Sequence, residues 1–572
     1  MANTLFSRKK KNTEQSSESS NNHIDIRNAA KAKAWAAKLP MADMGEMTRR
    51  LYTGISKLNR DPIPPSDRIE ATEVLLPYVQ MVLENLDRHF FVRSLPLPER
   101  SSKIFELKQS LLMEVAGSYQ LSALEILTKS SISKKKALLS IGRAISIMSQ
   151  VLMNGYEVYA KPKKSLWHDI HHLYLLSCEN KLEKKSIPTS TEFNNSDLTI
   201  EEHYKLTNLV ALAAPNTLRQ GEVLRLKEFF VATLKESALI DNSDNVKSKY
   251  AHIVLLNSDE PASLMPVADL VNSPTSRVFD LSKLIARLEQ FMQLSSSTDL
   301  GTHESWPMLT HSLAKRLVYI LTTIRNRRYK RFARDEKATL AIRMIDVLEI
   351  IRENEVESFA EQLNQDVEDD NIYEALTSGD QVSSPWADID VEALAEDRDI
   401  QLSTWKINNS SSGGYGLSQV KRESSTARVG ELVAIKDPND NSESWQVGSV
   451  RWLDSFNDVG LSMGIEILSP ETSTVSVDEI LNREITQKLP LEGIILPKVE
   501  GSRDEDNLIF PGFIFHVDDE LVISINARPQ QVKITSVDDT VGSFSYCCYE
   551  SFETEGAEEG SVESFDEVWE FL

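Results

Sequence analysis

Two short segments carry residue types from which a ligand site could be built. The first, RNRRYKRFAR, spans 325–334 and holds six basic residues in ten. Within it Arg327 and Arg331 are separated by three residues. A guanidinium is planar, permanently charged and presents its N–H donors in a fixed fork. Such a pair suits bidentate contact with phosphate and with the face or edge of a purine. The second segment, NNSSSGGYGL, spans 408–417. Asn409, Ser411 and Gly414 form an N-x-S-x-x-G pattern, and Asn408, Ser410 and Gly413 fit the same pattern one residue earlier. A short amide, a hydroxyl and a glycine allow a tight turn whose backbone and side chains can meet a base. Taken singly, each segment also has a plain reading. The arginines could be the basic C-terminal end of a helix, favourable with its dipole, and the second stretch a simple loop.

The composition limits what these residues can serve. The chain has 572 residues, 41% of them hydrophobic, enough for several cores. Lys and Arg number 63 against 86 Asp and Glu, a net charge of −23. A chain this acidic is unsuited to broad contact with a nucleic-acid polymer, which needs a positive face against phosphates. One local basic cluster can still grip a small anion. The three cysteines, Cys178, Cys547 and Cys548, form no metal-ligand spacing and no disulfide framework, which suits a reducing compartment. No metal or cofactor is expected. The basic run Arg8–Lys11 is followed by no apolar stretch, so it does not read as a signal peptide. The longest apolar patches noted, 209–214 and 317–324, fall well short of the roughly 20 residues that cross a bilayer. The expectation is a cytoplasmic protein with no transmembrane segment.

The elements that must position the two segments follow from periodicity. Residues 1–25 are polar and read as a disordered leader. From 26 to 325 the period is helical. Leu138, Ile141, Ile145, Met148 and Leu152 form one stripe, and Ile104, Leu107, Leu111 and Val115 another. Thr199 and Glu202 make a capping-box pattern, Pro215 stops the helix that follows, and the next begins near Gly221. This region reads as an all-α bundle or irregular solenoid, somewhat like tetratricopeptide units but without a clean period. From about 400 to 470 the period turns toward two, and the β-barrel unit, drawn to include the arginine segment, spans 326–475 with a flexible acidic insertion at about 346–400. Between 353 and 399 that insertion holds sixteen acids against the single basic residue Arg398. A second small β-rich domain covers 476–547. An acidic tail, 548–572, ends in Val568-Trp569-Glu570-Phe571-Leu572 and offers anchors for a partner or for the chain itself. The fold class is therefore multidomain α+β, with helices first and small antiparallel barrels after.

In their order and context the two segments resemble the PilZ domain, a β-barrel receptor for cyclic di-GMP. Its signature is R-x-x-x-R, then a strand, then [D/N]-x-S-x-x-G. The strands RVGELVAI (428–435), SWQVGSVRWL (444–453) and GLSMGIEILS (460–469) continue the resemblance, with KATLAIRMI (337–345) as the first barrel strand. The register with Asn409 is preferred, because Gly414 then precedes the outgoing Tyr415-Gly416-Leu417. The chain departs from the pattern in two ways. Asn stands where Asp is commoner, and 78 positions separate Arg331 from Asn409. A loop that long is tolerable, since closure entropy grows only logarithmically with length. The resemblance implies that Arg327 and Arg331 hold phosphates and meet guanine. It implies that Asn409, Ser411 and Gly414 contact the base, with Arg328 and Arg334 as helpers. The whole layout is similar to that of the FimW-type cyclic-di-GMP receptors of proteobacteria, whose relatives are often labelled molecular chaperones. That likeness implies an effector in surface attachment and type IV pilus motility. It would be recruited to a pole or membrane-associated machine and act on a protein partner through the helical region or the tail.

Other candidates are weaker. His168 and His172, in LWHDIHHLY, are spaced like a zinc pair, but no H-E-x-x-H is present. Trp167, Ile170, Leu173 and Tyr174 supply a core stripe there, so a structural role is expected. Adjacent Cys547 and Cys548 read as a strand pair. No nucleophile elbow, P-loop or Rossmann glycine pattern occurs, and no GGDEF, EAL or HD-GYP motif. The chain is expected neither to make nor to degrade cyclic di-GMP, and not to be an enzyme. Two readings stay open. A receptor needs Arg327, Arg331 and Asn409 to converge. A ligand-free adaptor or chaperone-like scaffold with a degenerate barrel needs an apolar groove on the helices.

Overall fold

The computed structural model describes residues 24–551 except 89–94, 129–132, 189–197, 242–248, 270–274, 296–301, 304–305, 325–328, 368–399, 440–443, 457–459, 484–488, 499–502, 504, 526–527 and 539–542. Eight helices come first: α1 (Ala29–Ala36), α2 (Met44–Arg60), α3 (Pro65–Asp87), α4 (Glu99–Thr128), α5 (Lys134–Glu157), α6 (Leu166–Glu179), α7 (Ile200–Leu212) and α8 (Glu222–Thr233). Their boundaries have local causes. The Asp43 carboxylate accepts from Glu46 N at the start of α2, and the Thr199/Glu202 capping box forms at α7. Gly221, with φ of 83°, opens α8.

The α5 stripe Leu138, Ile141, Ile145, Met148 and Leu152 is buried in the core that joins these helices. Each such residue is worth about 1.5–3 kcal/mol of burial. By length and composition α5 could cross a membrane, a feature the apolar-patch reading overlooked, yet 78% of its most apolar window is buried inside the protein. The expected α4 stripe is corrected. Leu107 is exposed and Ile104 half-buried, while Phe105, Leu111, Leu112 and Val115 face the core. Lys108, paired with Asp87, is buried on this helix as well.

The region expected to be helical over 26–325 also contains strands. β1 (Ala238–Ile240), β2 (Tyr250–Leu255), β3 (Ser263–Pro266) and β4 (Ser276–Asp280) form a sheet ordered β1-β4-β2-β3. Alternation explains it: Val254 and Phe279 join the helical core, whereas Ile253 and Val278 pack on one another. Then come α9 (Ser282–Ser295), the hairpin β5 (Thr302–His303) and β6 (Trp306–Thr310), and α10 (His311–Thr322).

The middle barrel is built from β7 (Phe332–Ala333), β8 (Lys337–Ile342), β9 (Leu402–Ser411), β10 (Gly414–Gln419), β11 (Leu432–Lys436), β12 (Gln446–Phe456) and β13 (Gly460–Ser469). The order is β10-β13-β12-β11-β8-β9, closed by β9 pairing with β10, and β7 lies along the end of β9. Leu340, Trp405, Ile407, Leu417, Val450 and Met463 fill it, together with Leu95 and Tyr159 from the helical region. The first barrel strand is shorter than expected. It ends at Ile342, Arg343 turns the chain at φ of 107°, and α11 (Met344–Val367) begins. The expected flexible insertion therefore starts as a helix. The reason is an apolar outer barrel face, with Ala341, Leu432, Ala434 and Val447, that Val347, Ile350 and Ile351 of α11 cover. The rest of that acidic insertion, 368–399, lies outside the described residues, as do 1–23 of the leader and 552–572 of the tail.

The second β-rich domain is a closed barrel of β14 (Ser473–Ile480), β15 (Leu491–Leu496), β16 (Asn507–Pro511), β17 (Glu520–Ile525), β18 (Arg528–Asp538) and β19 (Phe544–Ser551). Its order is β14-β15-β16-β19-β18-β17. It begins at Ser473, before the expected boundary, and β19 takes Cys547 and Cys548 into the sheet. Ile494, Leu496, Ile509 and Phe544 pack on the same α11 side chains, so the two barrels share one apolar seam.

Candidate functional site

The hairpin β9–β10 carries the N-x-S-x-x-G residues. Ser411 pairs with Gly414, leaving Ser412 and Gly413 as the turn. Gly414 sits at φ of 149°, and a Cβ there would lie 2.0 Å from the carbonyl oxygen of Ile465 on β13. The glycine is thus demanded by strand approach inside the barrel. Ser411 Oγ donates to the Gly414 carbonyl at 3.4 Å and so supports the turn.

The two asparagines have different environments. Asn408 Oδ1 accepts from Ser418 Oγ at 3.1 Å, and the Asn408 carbonyl accepts from Arg334 N at 3.1 Å. Asn409 lies flat over Gly416, where an added Cβ would fall 2.8 Å from Oδ1. Its Oδ1 is buried without a hydrogen-bond partner. Asn408 is therefore engaged internally, while Asn409 keeps a buried acceptor with no hydrogen-bond partner.

The arginine segment arrives along this hairpin. Phe332 pairs with Ser410 and Ala333 with Asn409. Continued for one residue, that alternation sets Arg331 opposite Ser411, on the face shared by Ala333 and Asn409. Arg331 is exposed and makes no ion pair with any described residue. Arg327 and Arg328 lie outside the described residues. Arg334 is committed elsewhere: its guanidinium grips Asp437 bidentately at 2.5 and 2.8 Å and reaches Glu336 at 3.0 Å. The Arg334 pKa is raised further above its usual range by the hydrogen bonds it donates to Asp437. Burial pushes the Asp437 carboxyl up, but the hydrogen bonds and charge of Arg334, with the Asn439 backbone N–H and the Tyr415 hydroxyl, together outweigh it and the net direction is down.

Sequence reasoning missed two participants. Tyr329, inside the R-x-x-x-R pattern, rests its ring on Gly413. Asp437 supplies the counter-charge for Arg334. A tyrosine within an arginine run and a lone aspartate after a strand give no separate signal.

The helical region meets the barrel through main-chain contacts. Ser425 N donates to the Leu95 carbonyl at 2.9 Å, and Ser455 N to the Tyr159 carbonyl at 2.8 Å. Arg422 donates to the Leu97 carbonyl at 2.9 Å, and Lys161 pairs with Asp454 at 3.3 Å. Beside them is a cleft of about 530 Å³ lined by Tyr156, Trp167, Ala211, Pro215 and Pro261, with Lys161, Lys163 and Lys164 also on its wall. His168 and His172 stack on one helix face at 6.3 Å, and no group of three His, Cys, Asp or Glu with metal-site geometry occurs among the described residues.

Comparison with known proteins bears on the whole chain. A family model described as the N-terminal domain of the cyclic-di-GMP receptor FimW matches residues 30–243. A second, described as that receptor's middle PilZ domain, matches residues 352–473. The second match contains Asn409, Ser411 and Gly414 and begins after the arginine segment. The chain is also 25% identical over 558 residues to the cyclic-di-GMP receptor FimW of Pseudomonas aeruginosa, covering 91% of this chain and 90% of that protein. No solved structure matches the chain.

Proposed function

The chain belongs to the family of FimW cyclic-di-GMP receptors, and from that premise we propose that it binds cyclic di-GMP on the outer face of the β7–β9–β10 ribbon. The observation that carries the reading is the pairing of β7 with β9, with Ala333 opposite Asn409, which sets Arg331 beside the N-x-S-x-x-G turn. Arg331, with Arg327 and Arg328 preceding it, meets phosphate and the guanine face. Asn409 meets the base edge once its buried, unpartnered Oδ1 swings out from over Gly416, and Ser411 and Gly414 shape the turn beneath it. Arg334 serves as a clamp on the barrel through Asp437 rather than as a ligand contact. No metal or cofactor takes part.

The arginine segment is also the connection between α10 and the barrel, so ordering it on the ligand links occupancy to the posture of the helical region. The output in this reading is a contact with a protein partner, through the helical region or the acidic tail, in surface attachment and type IV pilus motility. The site of action is the cytoplasm, with recruitment to a pole or membrane-associated machine. The family likeness is what supports that output. The competing reading, a ligand-free scaffold, draws on the apolar cleft beside Trp167.

Calorimetric titration of the full chain with cyclic di-GMP decides between them. Arg331→Ala and Asn409→Ala should each weaken binding about tenfold or more, the loss of one charge-assisted or buried hydrogen-bond contact. An unliganded wild type at high cyclic di-GMP concentration would leave the scaffold reading.

A further inference from the structure

We propose that Tyr329 is a positioning residue: its ring, seated on Gly413, holds the arginine segment against β9 before any ligand arrives. The inference rests on the cyclic-di-GMP reading for what the site binds, but the contact stands on its own geometry. A Cβ added to Gly413 would lie 2.7 and 2.9 Å from Cδ2 and Cε2 of Tyr329. The ring therefore rests directly on bare backbone, an approach that glycine alone permits. About half of Tyr329 remains exposed. The two glycines of the turn thus have separate tasks, with Gly414 admitting β13 and Gly413 admitting Tyr329.

The need for such a contact follows from the strand it precedes. β7 is two residues long and pairs with β9 at two positions. So short a ladder holds little by itself. On its C-terminal side Arg334 is clamped by Asp437 and Glu336. On its N-terminal side Tyr329 on Gly413 is the corresponding hold, and Arg331 lies between the two. A side chain fixed in advance binds more tightly, because the ordering cost is not charged to the ligand. Lys330 projects over the ring of exposed Phe332 at 5.7 Å, which further stiffens the stretch.

The test uses the full chain in two assays. The first is limited trypsin digestion without ligand, with cleavage after Lys330 and after Arg331 followed by mass spectrometry. Tyr329→Ala and Gly413→Ala should both cut several-fold faster there than wild type, and Tyr329→Phe, which keeps the ring, should cut as wild type does. The second is titration with cyclic di-GMP, where the first two variants should bind about tenfold more weakly and Tyr329→Phe should be unchanged. Wild-type cleavage in Tyr329→Ala, or a Tyr329→Phe variant as defective as Tyr329→Ala, would overturn the proposal. If cleavage responds as expected while wild type binds no cyclic di-GMP, the positioning contact is upheld and the ligand reading is the part that fails.

Discussion

Replacing Arg334 by alanine should destabilise the middle barrel without touching its apolar core. The Arg334 side chain is 15% exposed and that of Asp437 6%. They meet through two parallel hydrogen bonds of 2.5 and 2.8 Å. Truncating one partner of a fully buried pair costs about 3–5 kcal/mol, mostly because the other charge is stranded. Arg334 retains some contact with water, so about 2–3 kcal/mol is expected here. For a unit of about 150 residues that lowers the thermal midpoint by roughly 4–12 °C. The acid dependence has a definite sign. The Asp437 pKa lies below its usual value in the folded chain. Its stabilisation is therefore fully present above the unfolded-state value of about 3.9 and fades as pH falls through the lower folded value. The difference between wild type and Arg334→Ala should accordingly be constant at neutral pH and narrow below about pH 4. The assay is thermal unfolding of wild type, both single variants and the double variant with Asp437→Ala, across that range. A coupling energy below about 0.5 kcal/mol in that cycle would refute the reasoning.

Two further perturbations test the frame around the site. Gly414→Ala places a Cβ against the Ile465 carbonyl and should cost about 3 kcal/mol or more, seen as poor folding or a sharply lowered midpoint; a wild-type midpoint would contradict the stated closure of β10 on β13. Ile351→Ala empties part of the seam shared by both barrels and should cost about 2–5 kcal/mol. Because α11 touches both, urea unfolding monitored separately in β9 and in β18 should shift for both probes, and a shift confined to one would contradict a common seam.

How much of this was legible beforehand depended on whether the cause was local. The α5 stripe, the Thr199 cap and β13 over 460–469 were readable because periodicity and capping act within a few residues. The Asn409–Gly414 turn was visible for the same reason. The β1–β4 sheet was missed because its strands are short and its partners lie far apart in sequence, His252 against Phe279 for instance. The start of α11 reads from sequence alone as a flexible acidic loop. Its acids dominate the composition, whereas Val347, Ile350 and Ile351 become informative only once the apolar outer face of β8 and β11 is known. The exposed face of Leu107 and the tasks of Tyr329 and Asp437 likewise follow from tertiary contacts, which no spacing rule encodes. Arg334 looked like the other arginines until its carboxylate partner, 103 residues away, was in place.

Hydrogen–deuterium exchange of the full chain, with and without cyclic di-GMP, tests the central claim most directly. The account predicts ligand-dependent protection in peptides covering 325–334 and 406–416 together, since the register of β7 on β9 sets Arg331 on the face of the Asn409 turn. Protection confined to the cleft around Tyr156 and Trp167, with the 406–416 peptide unchanged, would contradict it.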